Sequence, residues 1–463
     1  MGSVYTIYCY FNSEQIQGIL NAVVMLVGSG GVDGDYLSLV RVAAIMGMFM
    51  AMCYGFLRAR GEDAAHYLVM VAIFYSTLFV PRVTVQIEDH GGAGTGAPIV
   101  VDNVPLGLAF FASSTSHIGY WLTEKTETFF SLPDTSLQLS QHGLMGGPRA
   151  LRMAQSAAMP DPVLAQDMIN FMRDCINPEL VASPTLVNAL LTSTNIWNDL
   201  GPSGIGVLNP GRMVTLSGAT GAVTCDDAYT NKLGPRLAPA ATSEFARIAQ
   251  MLSPNAPAAT AQTMLTALLP AAEGLIMTAS ASTTQGIRQR MMINMLNDTS
   301  ANMAQIMNDP SAAQTALGAA MATSNANTAY SVMARLAQET LPLVRNSIEL
   351  VVLGVFPIVL ILIIIAGSKG GLVLRSYVMT MLWIQWWAPL YAIVNYVGTM
   401  AGAKSMKAAL ASVDGVSVTN AAQLLNTTIS AEAIAGMLTI SVPMIARSEE
   451  HTSELQSRLQ ISY

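Results

Sequence analysis

Long apolar runs separated by short charged breaks occupy both ends of the chain. The run VAAIMGMFMAMCYGFL (42–57) carries no charge. With 37–41 in front it is about 20 residues long, enough to cross a bilayer at ~1.5 Å per residue. Arg41 lies near the end of that run, where a guanidinium can snorkel to the interface. Arg58, Arg60, Glu62 and Asp63 break the pattern, and AAHYLVMVAIFYSTLFV (64–80) predicts a second span, ended by Pro81 and Arg82. Near the other end, IELVVLGVFPIVLILIIIAG (348–367) predicts a third, followed by Lys369 and Arg375. YVMTMLWIQWWAPLYAIVNYVG (377–398) predicts a fourth, and AEAIAGMLTISVPMIA (431–446) a weaker, partial fifth. The apolar segment 16–27 is too short to span.

Between these ends, 82–341 is too long and too polar to be a loop. Its start, VTVQIEDHGGAGTGAPIVVDNVP, has two β-rich runs around a Gly-rich turn and reads as a hairpin. Helical patterns follow over 106–130, 163–175 and 243–252, with a long Ala/Met-rich helical stretch after Pro310. Pro and Gly clusters over 201–221 mark loops. The run 262–280 imitates a span, but Pro270 and Glu273 within it predict a buried helix. The expected fold is therefore a polytopic α-helical membrane protein of four to five transmembrane helices, with a large, mainly helical domain carrying a short β-hairpin. Its divisions are 1–81, a membrane region with two spans; 82–341, the large domain; 342–446, a second membrane region; and 447–463, a polar tail.

Charge sets the expected orientation. Arg58 and Arg60 put the first break in the cytoplasm, and Lys369 and Arg375 put the break between the third and fourth spans there too. Both choices leave the N-terminus and 82–341 outside; Arg41, Lys404 and Lys407 argue mildly the other way. No Lys or Arg precedes Arg41, so the positive region of a cleavable signal is missing and the N-terminus is expected to be retained. Composition agrees with a lipid-solvated chain: charged residues are 11%, hydrophobic residues 52%, and mean hydropathy is +0.44. A net charge of −7 gives no basic footprint for nucleic acid.

The sequence offers little catalytic chemistry. It has no GxxxxGK[ST], HExxH or GxSxG, and no GxGxxG between a strand and a helix. GSGGVDG (28–34) has no basic residue close by to hold phosphate and reads as a turn. His66, His90, His117, His142 and His451 are scattered, and the adjacent Asp226 and Asp227 make no acid–base dyad by adjacency alone. None of the four cysteines forms a CxxC or a Cys/His cluster, which argues against a zinc or iron–sulfur site. No enzyme, cofactor, metal or small-molecule substrate is expected. Only Arg41, His66, Arg345 and Glu349 bring charge near the spans, all at span ends, which argues against a secondary transporter.

Three features stand above this background. Ala43, Gly47, Ala51 and Gly55 recur every four residues along the first span, a small-residue stripe that admits a neighbouring helix. Trp383, Trp387, Tyr391 and Asn395 also step by four, with Gln385 and Pro389 between them. They read either as an interfacial aromatic cluster with a Pro kink or as a protein–protein face inside a membrane assembly, where Asn395 would seek a hydrogen-bonding partner. Cys175 and Cys225 are the cysteines of the large domain. In an oxidising periplasm such a pair is normally joined, closing a loop of about 50 residues worth roughly 2–4 kcal/mol; the alternative is two separate buried thiols.

Several segments resemble the TraG N-terminal region family of F-type conjugative transfer proteins. VDNVPLGLA (101–109), with Val101, Asp102, Asn103, Val104 and Pro105 as its core, is similar to a motif after that family's second span. INFMRDC (169–175) and TCDDA (224–228) resemble its two cysteine-bearing segments, and TLPLVRNSIELVVLGVFPIVL (340–360) and YVMTMLWIQWWAPLYAIVN (377–395) its later spans. The resemblance covers nearly all of 1–446. It implies a multi-pass protein of the bacterial inner membrane, with its N-terminus and large domain periplasmic. As part of a type IV secretion apparatus it would serve pilus assembly and DNA transfer. The implied partners are other pilus-assembly proteins and the lipid bilayer. Family members continue into a C-terminal periplasmic domain tied to mating-pair stabilisation and to exclusion of redundant transfer. The competing expectations are a channel or translocation-pore subunit and a membrane-anchored periplasmic enzyme.

The tail RSEEHTSELQSRLQISY (447–463) has no apolar periodicity. RSEEHTSELQS back-translates to the constant part of a common sequencing adapter, RLQ stands where a variable index would, and ISY matches the start of the next constant segment. The tail therefore reads as adapter read-through at a cut gene end, and no function is expected of it.

Overall fold

The computed structural model describes residues 4–28, 35–58, 62–91, 97–218, 221–254, 256–278, 282–306, 332 and 340–460. The expected Ala/Met-rich helix after Pro310 lies outside the described residues.

The hairpin forms as the sequence predicts: β2 (Arg82–Asp89) pairs antiparallel with β3 (Ile99–Pro105), with a register shift between Val83 and Val85. A strand the sequence did not announce, β1 (Val4–Cys9), adds in parallel on the other side of β2, Val4 opposite Thr84 and Cys9 opposite Asp89. Helix α1 (Ser13–Val27) covers this sheet with Ile16, Leu20, Val23 and Val24, so the short apolar segment 16–27 is a packing helix.

The first expected span is α2 (Asp35–Arg58). The second is α3 (Glu62–Phe74), continued by a π-helical turn over Tyr75–Phe79. After β2 and β3, α4 (Leu106–Phe129) agrees with its expected range. The large domain then winds through α5 (Gly146–Gln155), α6 (Pro162–Phe171), α7 (Gly234–Leu252), α8 (Ala258–Gly274) and α9 (Thr283–Ile306), with shorter helices and loops between them. The span-like run 262–280 falls largely in α8, with Leu265, Leu268 and Leu269 in the domain core.

The remaining spans depart from the expected count of four to five. The third is broken into α10 (Leu341–Gly354) and α11 (Phe356–Ala366), bent by 49°. The fourth is divided at Trp386 between α12 (Gly370–Gln385) and α13 (Trp387–Ala409). Pro389 sits in the first turn of α13, where its missing N–H releases the carbonyl of Gln385 and ends the preceding ladder. The fifth is longer than expected: α14 runs over Val418–Gln460, and Val418–Arg447 is apolar for 30 residues. By length and composition, two helices among the described residues can cross a membrane, Tyr36–Cys53 and Val418–Arg447, and the bent pair makes a third. The expected second span remains as the shorter apolar helix Ala65–Phe79.

Two large cores result. One joins the sheet, α1, α2, α4 and α10–α12; the other fills the large domain and takes in Ala403, Met406, Leu410, Val416 and Leu424 from the α13–α14 hairpin. The large domain's core therefore extends past 341 to include that hairpin's tip.

Candidate functional site

Beside the core that joins the sheet to α10–α12, polar side chains from three distant segments are buried together. Asn12 follows β1, Arg345, Asn346 and Glu349 lie on α10, and Gln385 ends α12. All five are buried. Arg345 and Glu349 are one helical turn apart, and Arg345 Nη1 lies 3.4 Å from Glu349 Oε2. Gln385 Nε2 donates to Glu349 Oε1 at 2.7 Å, while its Oε1 accepts from Arg345 Nη2 at 3.1 Å. Asn12 Nδ2 donates to Glu349 Oε2 at 3.2 Å, and Asn346 takes Arg345 Nη1 on its Oδ1 at 3.0 Å and donates to the Tyr10 carbonyl at 3.4 Å. Gly119 on α4 admits the cluster: a Cβ there would stand 2.8 Å from Gln385 Cβ. Cys9 is buried beside it, and burial pushes its thiol well above the usual range, so it behaves as a small apolar group.

Such a set is held by the pairing of its members. A buried ion pair is weak evidence of net stability, but removing one member strands the other charge. The neutral amides Asn12, Asn346 and Gln385 pair with the ion pair from three sides, while Arg345 Nε and Asn12 Oδ1 meet no hydrogen-bond partner among the described residues. No nucleophile–base geometry arises from these groups, and among the described residues there is no His, Cys, Asp and Glu cluster able to hold a metal ion. What the arrangement can do is fix the N-terminal strand, the bent helix pair and the α12–α13 break in one register.

Two further polar links fasten the C-terminal helices to the large domain. Asn395 on α13 accepts the Met145 N–H on Oδ1 at 2.8 Å and donates Nδ2 to the Leu137 carbonyl at 2.9 Å. Glu432 on α14, 1% exposed, takes Arg152 Nε of α5 on both oxygens, at 3.0 and 2.8 Å. At the hairpin tip, Asp414 accepts from the backbone N–H and hydroxyl of Thr278, and Gln289 Nε2 donates to the Val416 carbonyl at 3.0 Å.

The residues singled out from sequence fall into place unevenly. Cys175 and Cys225 are joined, Cα atoms 5.7 Å apart, and both are fully buried. Of the small-residue stripe, Ala43 is buried, and Gly47 lies where a Cβ would meet the Tyr67 hydroxyl and stand 3.0 Å from the Ile364 carbonyl of α11. Ala51 is half-buried; the surroundings of Gly55 lie outside the described residues. The aromatic series is not an outward face. Trp387, Tyr391 and Asn395 are buried against the chain's own α14 and Met145, with Trp383 packed edge-on to Trp387 at 5.1 Å. The series also crosses the break at Trp386, so its four-residue step does not mark one helix face. In the VDNVP motif Val101 and Val104 enter the core, and Asp102 Oδ1 accepts from Thr84 Oγ1 at 2.7 Å. Asn103 takes a positive φ of 63°, and Pro105 leads into α4, whose first N–H, on Leu106, bonds the Pro81 carbonyl at 2.9 Å. From sequence, Arg345 and Glu349 stand out only as charges at a span end. Asn12 and Arg152 carry no sequence signal of their role, whereas Glu432, a carboxylate at the head of an apolar run, is itself a signal of a buried partner.

The chain matches the family described as TraG-like protein, N-terminal region, over residues 6–448. It is 23% identical over 393 residues to Protein TraG of Escherichia coli (strain K12), an alignment covering 84% of this chain and 40% of that relative. The chain thus spans less than half the length of the curated relative it matches. No solved structure matches it.

Proposed function

Since the chain belongs to the TraG-like N-terminal region family, a family tied to conjugation, we propose that it is an inner-membrane component of a conjugative type IV secretion system, needed for pilus assembly and DNA transfer. The observation that carries this reading is the family match across 6–448. In longer members, mating-pair stabilisation and exclusion of redundant transfer would belong to the same protein. Its partners would be the other pilus-assembly proteins of the machine and the bilayer.

The role is one of assembly. The polar junction around Glu349 supports it, because it ties the N-terminal strand to α10 and α12, while Asn395 and Glu432 tie the C-terminal helices to the large domain. The orientation, with N-terminus and large domain in the periplasm, has two supports. β1 pairs with β2, so the N-terminus stands on the same side as the start of the large domain, as the positive charges at Arg58, Arg60, Lys369 and Arg375 require. The Cys175–Cys225 bond suits an oxidising compartment. Affinity purification of the tagged chain from conjugating cells should bring down pilus-assembly proteins, and deletion of its gene should abolish pili. Purification as a lone species, with normal pili in the deletion strain, would overturn the proposal.

A further inference from the structure

We infer that the outward face of α4 lies in the lipid–water boundary of the leaflet on the large domain's side, so that this helix, outside every expected span, is itself a membrane-contacting element. The inference rests on the membrane reading above and adds a surface to it.

The inner face of α4 follows the rim of the membrane helices. Its first N–H bonds Pro81, the residue that closes the second apolar run. One residue on, a Cβ at Gly107 would stand 2.9 Å from Leu78 Cβ. Ala112 and Thr115 share a small cavity with Glu349 and Leu353 of α10 and with Met381 and Ile384 of α12. Gly119 then rests on Gln385. From 107 to 119 the helix thus touches the end of one apolar segment after another, those of α3, α10 and α12.

Its outer face is apolar at the same level. Phe110, Ile118 and Trp121 are 48%, 46% and 56% exposed, and 3.6 residues per turn places them within about 80° of one another, opposite Leu108, Ala112 and Gly119. Ile73 and Val80 on the neighbouring apolar segment are exposed as well. Scattered exposed apolar residues are normal; here they sit in a run that carries no Asp, Glu, Lys or Arg from Leu106 to Thr123. The polar positions on that face before Glu124 are Ser114 and His117, and the His117 ring is tied to the Ser113 carbonyl at 2.8 Å. Trp121 stands just before Glu124 and Lys125, the place of an interfacial tryptophan where an amphipathic helix returns to water. A protein partner would not require the charge-free run to coincide with contact to the membrane helices; a lipid surface does.

The test is nitroxide accessibility in proteoliposomes of phosphatidylethanolamine and phosphatidylglycerol, on the full chain carrying Cys53→Ser. Labels go at Phe110→Cys, Ile118→Cys and Trp121→Cys, with Ile45→Cys on α2 as the lipid reference and Val181→Cys on the large domain as the aqueous one. An intact Cys175–Cys225 bond by non-reducing electrophoresis certifies each fold. The expected result is an oxygen-to-nickel-chelate collision ratio at 110 and 118 several-fold above that of Val181 and below that of Ile45 at its span centre, with 121 lower than both. Ratios at 110 and 118 equal to Val181, with Ile45 still in lipid, would overturn this inference and leave the membrane reading standing. An aqueous ratio at Ile45 would overturn both.

Discussion

Gln385 reaches back 36 residues to donate a 2.7 Å hydrogen bond to Glu349, and it takes Arg345 on its other amide atom. The amide therefore bridges both members of a buried ion pair from a different helix. Replacing Glu349 by Gln should cost about 3 kcal/mol, because Arg345 is left buried without its counter-charge. Replacing both, Arg345→Met with Glu349→Leu, should recover part of that loss, since no charge is stranded although the Gln385 and Asn12 amides lose their partners. Thermal midpoints of the single and double variants in detergent check this; a double variant worse than the sum of the singles would refute the pair's role.

Gly47 allows α2, α3 and α11 to close on one another. A Cβ there would meet the Tyr67 hydroxyl and crowd the Ile364 carbonyl at 3.0 Å, so backbone as well as side chain must shift. Gly47→Val should destabilise by about 2 kcal/mol through overpacking. The same change at Ala51, half-buried on that helix, should cost much less. Parallel melts of the two variants decide whether the small-residue stripe is a packing device at Gly47.

What the sequence disclosed follows from how local each signal is. The hairpin was legible because two β-branched runs flank glycines, and α4 because its period is its own. Strand β1 was not, since its partner Thr84 lies across two apolar segments. The polar junction was half legible: Arg345 and Glu349 are a helical turn apart, but Asn12 is 337 residues from Glu349. Glu432 went unread because Arg152, which neutralises it, is 280 residues earlier. The aromatic series offered two readings, an interfacial cluster with a kink at Pro389 or a protein–protein face, and the burial of Trp387, Tyr391 and Asn395 inside the chain was not local enough to show in the sequence.

Arg152 and Glu432 should respond unequally. Glu432 is 1% exposed while the Arg152 side chain is 22% exposed. Without Glu432, the arginine can turn its head to water. Without Arg152, the carboxylate stays buried and loses its hydrogen-bonded counter-charge, keeping only the field of Arg149. Arg152→Gln should therefore cost about 3 kcal/mol and Glu432→Gln only about 1. The two thermal midpoints give the order directly, and equal losses would count against this asymmetry.

The Cys175–Cys225 bond closes a loop of 50 residues. Reduction, or Cys175→Ser with Cys225→Ser, should lower stability by about 2–4 kcal/mol, with a mechanism that depends on the unfolded state. Both sulfurs are buried, so reduction of the folded protein should be slow and should quicken in mild denaturant. Thiol alkylation against time in urea measures this. Rapid labelling of both cysteines in native buffer would contradict the burial.

Acid should loosen the large domain at Asp167. Burial works against the charge of this carboxylate, but the Ser217 amide at 2.7 Å and Arg236 at 2.6 Å together hold its carboxyl below the usual range. A group whose folded value lies below its unfolded value stabilises fully above the unfolded one, near pH 4, and loses that contribution as pH falls through the folded value. Asp167→Asn should cost about 3 kcal/mol at pH 7, since Arg236 loses its buried partner and Ser217 its charged acceptor. It should also flatten the fall in stability below about pH 4, where the native carboxylate takes up its proton. Urea unfolding above and below that pH, native against variant, measures the difference in slope; an unchanged acid limb would assign the acid sensitivity to other carboxylates.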